Sequence, residues 1–519
     1  MLTKTHRPAR GLNVVFGLAA AWTLAAGSAS AQGGEETAIT IYSTAQPGAV
    51  SPELYRPVPG QGSHRGQSVP GYAMIRHMRS VNLAVGLNRL NFTDVAAYID
   101  PTTVSFESLT APESTRVVEQ SFQFDLVSAQ KLMERYIDQV ITVDQVSGND
   151  LRQIAGRLLS TEGGLLLAGD DGQIHAIRNY HNIHFPELPG GLMTRPTLVW
   201  DLTADRAGEH DTRVTYQTSG LTWWSDYNLV FSEGEDPNSG FLDLGAWVSI
   251  LNRSGAGYPD ARLKLIAGDV NRAKPASPMV RDQMLRSAMA MEEDAAAGFA
   301  QKSFFEFHLY TLGHSTTIPD NSTKQLELFP KAQQIPAKKL LVYYGLEPQY
   351  GFYGNPHTDR DLGLPMNTKV DVYLEFENDE DHGLGIPLPS GRIRVSQLDE
   401  ADDSLEFIGE DVIDHTPKDE TVTIKLGSAF DVVGERRQVD FRVNYDAERM
   451  DETIEVTLRN HKDQAVDVLI KETMFRWVNN DIIVSNHDYE RQDARTVHFP
   501  VRVPADGETV LQYQVRYTW

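Results

Sequence analysis

Apolar and polar residues alternate along most of this chain with the two-residue period of a half-buried strand. Ala38-Ile39-Thr40-Ile41-Tyr42 is a β-branched and aromatic run, and a Pro/Gly-rich loop follows from Gln46 to Pro70. Ile75, Val81, Leu83, Val85, Leu87, Leu90 and Phe92 then stand between polar residues. Asp100-Pro101 marks a turn, after which Val104-Ser105-Phe106 resumes the alternation. Short alternating runs separated by turn residues are the signature of an all-β chain.

One stretch keeps a helical period instead. Ala129, Leu132, Met133, Tyr136 and Ile137 recur at three- and four-residue steps behind Ser128, a suitable N-cap. Four short strands are predicted after it, at Val140-Ile141-Thr142-Val143, at 154–159, at 164–167 and at 173–177. Asp170-Asp171-Gly172 supplies a tight hairpin between the last two. A helix leading into closely spaced hairpins predicts a small barrel of the SH3 or Sm kind over 128–190.

Longer strands return at Thr197-Leu198-Val199-Trp200, Val214-Thr215-Tyr216, Trp247-Val248-Ser249-Ile250 and 261–266. Ser277-Pro278 reads as the start of a helix, and the thin stripe Val280, Met284, Ala288 and Met291 predicts a helical insertion over 275–298. Beyond residue 345, the alternation at 370–376, 438–443, 454–458 and 466–470 predicts a β-sandwich. The last strand alternates Leu511, Tyr513, Val515, Tyr517 and Trp519 against polar neighbours, and its aromatic face is expected in that sandwich's core. The predicted chain is therefore mainly β, a multi-domain β-sandwich and small-barrel architecture with one or two short helices. Its expected parts are an N-terminal β region (32–127), the helix and barrel (128–190), a central β domain (191–345) and the C-terminal sandwich (346–519).

The first thirty-one residues change the picture of where this happens. Lys4, His6, Arg7 and Arg10 form a basic start, residues 11–26 are almost all apolar, and Ala29-Ser30-Ala31 precedes Gln32. These are the three parts of a secretory signal peptide, so the mature chain is expected to begin at Gln32 in the periplasm or outside the cell. No later stretch has the length of a membrane-spanning helix. The chain has no Cys, which removes a lipid-anchoring thiol, disulfides and thiolate metal sites alike. Its 47 Lys and Arg against 71 Asp and Glu give a net charge of −24, and the signal segment takes away cations only. Such a surface repels nucleic acid and anionic lipid.

Pro196-Thr197-Leu198-Val199-Trp200, Gly220-Leu221-Thr222-Trp223-Trp224-Ser225-Asp226-Tyr227, Asp320-Asn321-Ser322-Thr323-Lys324-Gln325 and the Trp477 strand occur in this order. Together they resemble the bacterial domain-of-unknown-function family numbered 4139, which is similar to the mucoidy-inhibitor-A-like proteins. The resemblance covers most of the chain from about Ile39 onward. It implies an exported β-rich protein and brings no activity, cofactor or catalytic residue with it. Unlike some relatives, this chain has no long heptad segment.

Motifs that would name a chemistry are missing from the sequence: His-Glu-x-x-His, Gly-x-Ser-x-Gly and the phosphate-binding Gly-rich loop. His175, His181 and His184 lie too irregularly for a zinc set and are expected to be ordinary hydrogen-bonded or exposed histidines. Counted from Asn378, Gly383 fits the sixth position of a calcium loop, but His382 and Pro389 at the fifth and twelfth do not. A solvated hairpin tip is expected there. Neighbouring Trp223 and Trp224 face opposite sides of a strand; with Tyr227 they offer a sugar-stacking platform, but core packing for one and a domain interface for the other is the expected arrangement, given how much area aromatic side chains bury. The sequence thus yields no catalytic, cofactor or metal site. It suggests an envelope or cell-surface binding protein for a protein or glycan, with a hydrolase of envelope polymers as the alternative.

Overall fold

The computed structural model describes residues 36–42, 48, 50–55, 69–124, 127–147, 150–187, 189, 192, 194–268, 299–304, 307–346, 354–362, 367–399, 401–402 and 404–519. The signal segment expected at 1–31 and the helical insertion expected at 275–298 lie outside them. The fold is mainly β and multi-sheeted, with two short helices among the described residues. No described helix is long and apolar enough to cross a membrane.

Three consecutive strand pairs build the N-terminal half. Tyr72–Leu83 runs into Gly86–Thr93, Ile99–Ser108 into Thr115–Gln123, and Thr197–Ala204 into Gly208–Ser219. In each pair one strand lies in an eight-stranded sheet and the other in a three-stranded sheet that covers it. Trp200 is fully buried between them, with its ring 5.6 Å from Phe92 and 5.1 Å from Phe106. Its indole N–H donates to Gln120 at 2.8 Å, which satisfies the one polar atom it carries inward.

The first strand, Glu36–Tyr42, is inserted between two sequence-distant neighbours. It pairs antiparallel with Tyr72–Leu83 and parallel with Tyr258–Ala267, matching Ala38 to Arg262. Residues 36–123 and 197–267 therefore share sheets and a hydrophobic core, so the N-terminal and central regions expected as separate parts are joined, with 128–190 set between them.

The segment between them is an insertion with its own core. Ser128 accepts the N–H of Lys131 and caps the helix Ala129–Arg135. Behind it five antiparallel strands cover 140–184 and bury Tyr136, Ile141, Val143, Leu158, Leu165 and Leu167. The expected turn at Asp170-Asp171-Gly172 closes with Gly169 donating to the carbonyl of Gln173, and Gly172 takes φ +78°.

The other half hangs on a thirteen-stranded sheet. Two of its strands, Ser322–Tyr344 and Thr421–Asn444, are 23 and 24 residues long. Each contributes to two cores: Ile335 and Ile424 to the central one, Tyr343 and Val432 to the C-terminal one. The boundary expected at 345 is thus bridged by continuous strands. A bulge bends Ser322–Tyr344 midway, where Gln334 has φ +58° and its N–H is held by Asp243 at 3.1 Å.

The C-terminal core lies between Thr421–Asn444, Arg449–Asn460 and Gly507–Thr518 on one side and Val466–Thr473 and Thr496–Val503 on the other. Leu511, Tyr513, Val515 and Tyr517 all point into it, as the alternation predicts. Their strand lies between Arg449–Asn460 and Asn480–Ser485, so it is paired on both sides. Two ion pairs are enclosed there: Arg436 with Glu472 at 3.1 Å, and Arg476 with Glu452 at 2.9 Å.

Candidate functional site

Four adjacent strands of the large sheet, Gly391–Asp399, Leu221–Glu233, Ser239–Asn252 and the start of Ser322–Tyr344, present a common outer face. Register fixes what appears on it. Arg392 is paired with Asp226, Asp226 with Trp247, Trp224 with Ser249, and Ser249 with Gln325. Because side chains alternate along a strand, Trp224, Asp226 and Asn228 share this face while Trp223, Tyr227 and Leu229 are buried on the other. Trp224 and Trp247 are diagonal neighbours across one strand pair, about 7–8 Å apart at the backbone.

These side chains floor a cleft of about 460 Å³. One wall comes from the N-terminal region: Tyr55, at the end of the short helix Pro52–Tyr55, stands 5.3 Å from the Trp224 ring, and Val50 and Leu54 pack beneath with Leu251. Gly48 borders the cleft beside Arg392. Trp247 is left 39% exposed at the rim, enough to offer a ring face.

The polar groups on the floor are organised around Asp226. One of its oxygens accepts the Trp224 indole N–H at 2.8 Å and the Ser249 hydroxyl at 3.2 Å, and the other accepts Arg394 at 3.4 Å. Gln325 donates to Ser249 at 3.1 Å. Arg394 also faces Glu410 at 3.6 Å. Asp226 therefore orients an indole, a hydroxyl and a guanidinium and is occupied in doing so. Arg392 differs: it lines the same cleft, and among the described residues its guanidinium has no hydrogen bond or ion pair.

The residues singled out from the sequence fall into two groups. Of the three aromatic ones, Trp224 reaches the cleft, whereas Trp223 and Tyr227 are core residues. The remaining candidates have structural duties. His184 donates to Asp144 at 2.7 Å, and that bond holds the Asp144 carboxyl below its usual range. His175 and His181 do not join it in a group of metal-ligand geometry. Asn378 is buried and ties its loop through the carbonyls of Ile386 and Pro417. Asp379 receives the N–H and the ring of His382, both at 2.8 Å. With Glu377 these two bring three ligand atoms within 4.8 Å of one another, yet the Asp379–His382 bonds already account for the turn.

A serine–histidine pair from distant parts of the chain also has a structural role. Ser108 Oγ lies 2.9 Å from His210 Nδ1, but both residues are buried and His210 Nε2 donates to the carbonyl of Arg206. Ser108 also accepts the N–H of Ala111, so the pair fastens a turn. Trp247, Asp226 and Gln325 stand in the sequence only as parts of strands and motif segments, and neither they nor Arg392 and Arg394 are marked there as site residues. The alternation Arg392-Ile393-Arg394-Val395 could have hinted at two cations on one strand face, but not at what lies beside them.

The structure defines a multi-sheet β protein with an aromatic-floored surface cleft. Compared with protein-family models, with curated proteins and with solved structures, the chain finds no significant match.

Proposed function

We propose that this is an exported binding protein of a bacterial envelope or cell surface, and that it holds a saccharide in the cleft over Trp224 and Trp247. The observation that carries the reading is the gathering of two accessible indoles with Asp226, Asn228, Gln325 and two arginines on one face. A pyranose has apolar C–H faces and a rim of hydroxyls. An indole face attracts the former through dispersion and its negative quadrupole, while amides, a carboxylate and guanidinium groups match the latter as acceptors and donors. The cleft is also within the usual size range of small-ligand sites. Support for export comes from the signal-like segment 1–31, with its basic start, apolar stretch and small-residue cleavage site.

A hydrolase acting on an envelope polysaccharide has less in its favour. Glycoside hydrolysis in its usual forms needs two facing carboxylates, and Asp226 is the one carboxylate among the described residues lining the cleft. Its oxygens are engaged by Trp224, Ser249 and Arg394.

Calorimetric titration of the exported chain with a panel of neutral and acidic oligosaccharides tests the proposal. Binding is expected, and Trp247→Ala should weaken it about tenfold by removing one stacking face. Absence of heat with every member of the panel would overturn the saccharide reading. Sequencing of the exported form should begin at Gln32, and a full-length cytoplasmic product would overturn export.

A further inference from the structure

The geometry points to an acidic saccharide as the ligand: we propose that Arg392 receives the carboxylate of a uronic acid whose ring lies against Trp224 and Trp247. This rests on the saccharide reading of the cleft and goes further by fixing the ligand's charge.

The argument begins with the charges that face the cleft. Arg392, Arg394 and Asp226 are the ionised groups among the described lining residues. Arg394 is matched twice, by Asp226 at 3.4 Å and by Glu410 at 3.6 Å. Arg392 is half-buried, and among the described residues no carboxylate or carbonyl answers it. Its cross-strand partner on the other side is Val412, which supplies no counter-charge. Among the described residues, nothing takes up the fork of donors that this guanidinium presents to the cleft.

Composition makes that arrangement more telling. The chain carries 71 acids against 47 Lys and Arg, so its average field repels anions. A cation without a counter-charge among the described residues, beside two indoles, runs against that field and gives the cleft a local preference for an anion. The guanidinium fork binds a carboxylate through two parallel hydrogen bonds, with geometric as well as electrostatic selectivity. Arg392 is in the same cross-strand row as Asp226 and Trp247. A sugar ring over the indoles would therefore bring a carboxylate on its edge towards Arg392, with Asn228 and Gln325 left for hydroxyls.

The test compares oligomers of galacturonate, glucuronate and mannuronate with their methyl esters, which keep the hydroxyls and lose the charge. Calorimetry on the exported chain is expected to show at least one acid binding more tightly than its ester. Arg392→Gln should cost that acid about ten- to a hundredfold, the usual size of a charge-assisted hydrogen bond, and cost the ester several-fold less, so that the acid's advantage over its ester disappears. Arg392→Lys should recover only part of it, because the charge returns without the fork. Trp247→Ala should weaken acid and ester together. Equal binding of acid and ester, or an acid preference untouched by Arg392→Gln, would overturn the acidic ligand while leaving a saccharide site in place. Failure of every acid, ester and neutral oligosaccharide would overturn both.

Discussion

Arg476 is the residue whose loss should damage the C-terminal half most. Its side chain is fully buried, and it donates to the carbonyls of His357, Asp359 and Leu362, to the amide oxygen of Gln438, and to Glu452. The guanidinium also lies 4.3 Å from the centre of the Phe441 ring. Arg476→Met keeps the side-chain length and apolar stem but removes all five of these hydrogen bonds. Glu452, only 2% exposed, is then a carboxylate enclosed without its cation. Breaking one partner of a buried ion pair costs about 3–5 kcal/mol. Each carbonyl left without a donor adds about 1–3 kcal/mol where water cannot replace it. Asp359 is exposed and Leu362 half-buried, so water reaches much of the 354–362 loop. A total of about 4–6 kcal/mol is expected, a large part of a typical domain's stability. Urea unfolding followed by tryptophan fluorescence measures it as a shift of the C-terminal transition. Adding Glu452→Gln to Arg476→Met should restore at least about 1 kcal/mol, because the stranded charge disappears. A single variant costing under about 1 kcal/mol, with no recovery in the double variant, would refute this account.

Two further predictions follow from burial. Deleting residues 511–519 removes Leu511, Tyr513, Val515 and Tyr517 from the C-terminal core, a loss of roughly 6–12 kcal/mol at 1.5–3 per side chain before entropy is counted. The C-terminal unfolding transition should vanish and trypsin should digest 421–510 rapidly; survival of that transition would show that the aromatic strand is dispensable. Burial, assisted by Arg79, pushes His77 down to about 3, so it stays neutral in the fold while an unfolded histidine takes up a proton below about pH 6.5. Its contribution is complete above that pH and is lost as pH falls towards 3, by up to about 1.4 kcal/mol per unit. In urea melts at pH 7 and 5, His77→Gln should therefore show a smaller fall in stability than the parent, and identical falls would rule the mechanism out.

Much of the local structure was legible in the sequence because it depends on neighbours a few positions away. Ser128 capping the helix Ala129–Arg135 is one case, since the hydroxyl needs only the N–H three residues on. The turn at Gly172 and the inward face of 511–517 are others, set by φ freedom and by a two-residue period. The same alternation put Trp223 and Trp224 on opposite faces, while packing of the sheet decided that Trp223 is the one in the core. A strand pattern, however, states which side chains share a face and says nothing about which strand will lie alongside. Only the tertiary structure set Ala38 beside Arg262, joined 36–123 to 197–267 around the 128–190 unit, and carried Ser322–Tyr344 through two cores past the boundary expected at 345. The cleft belongs to this second category. Asp226, Trp247, Gln325 and Arg392 come from four strands separated by up to 166 residues, and register alone brings them into adjoining rows. The buried His77 and Arg476 are alike in this respect, because desolvation and pairing are properties of the assembled core and leave no mark on the local sequence.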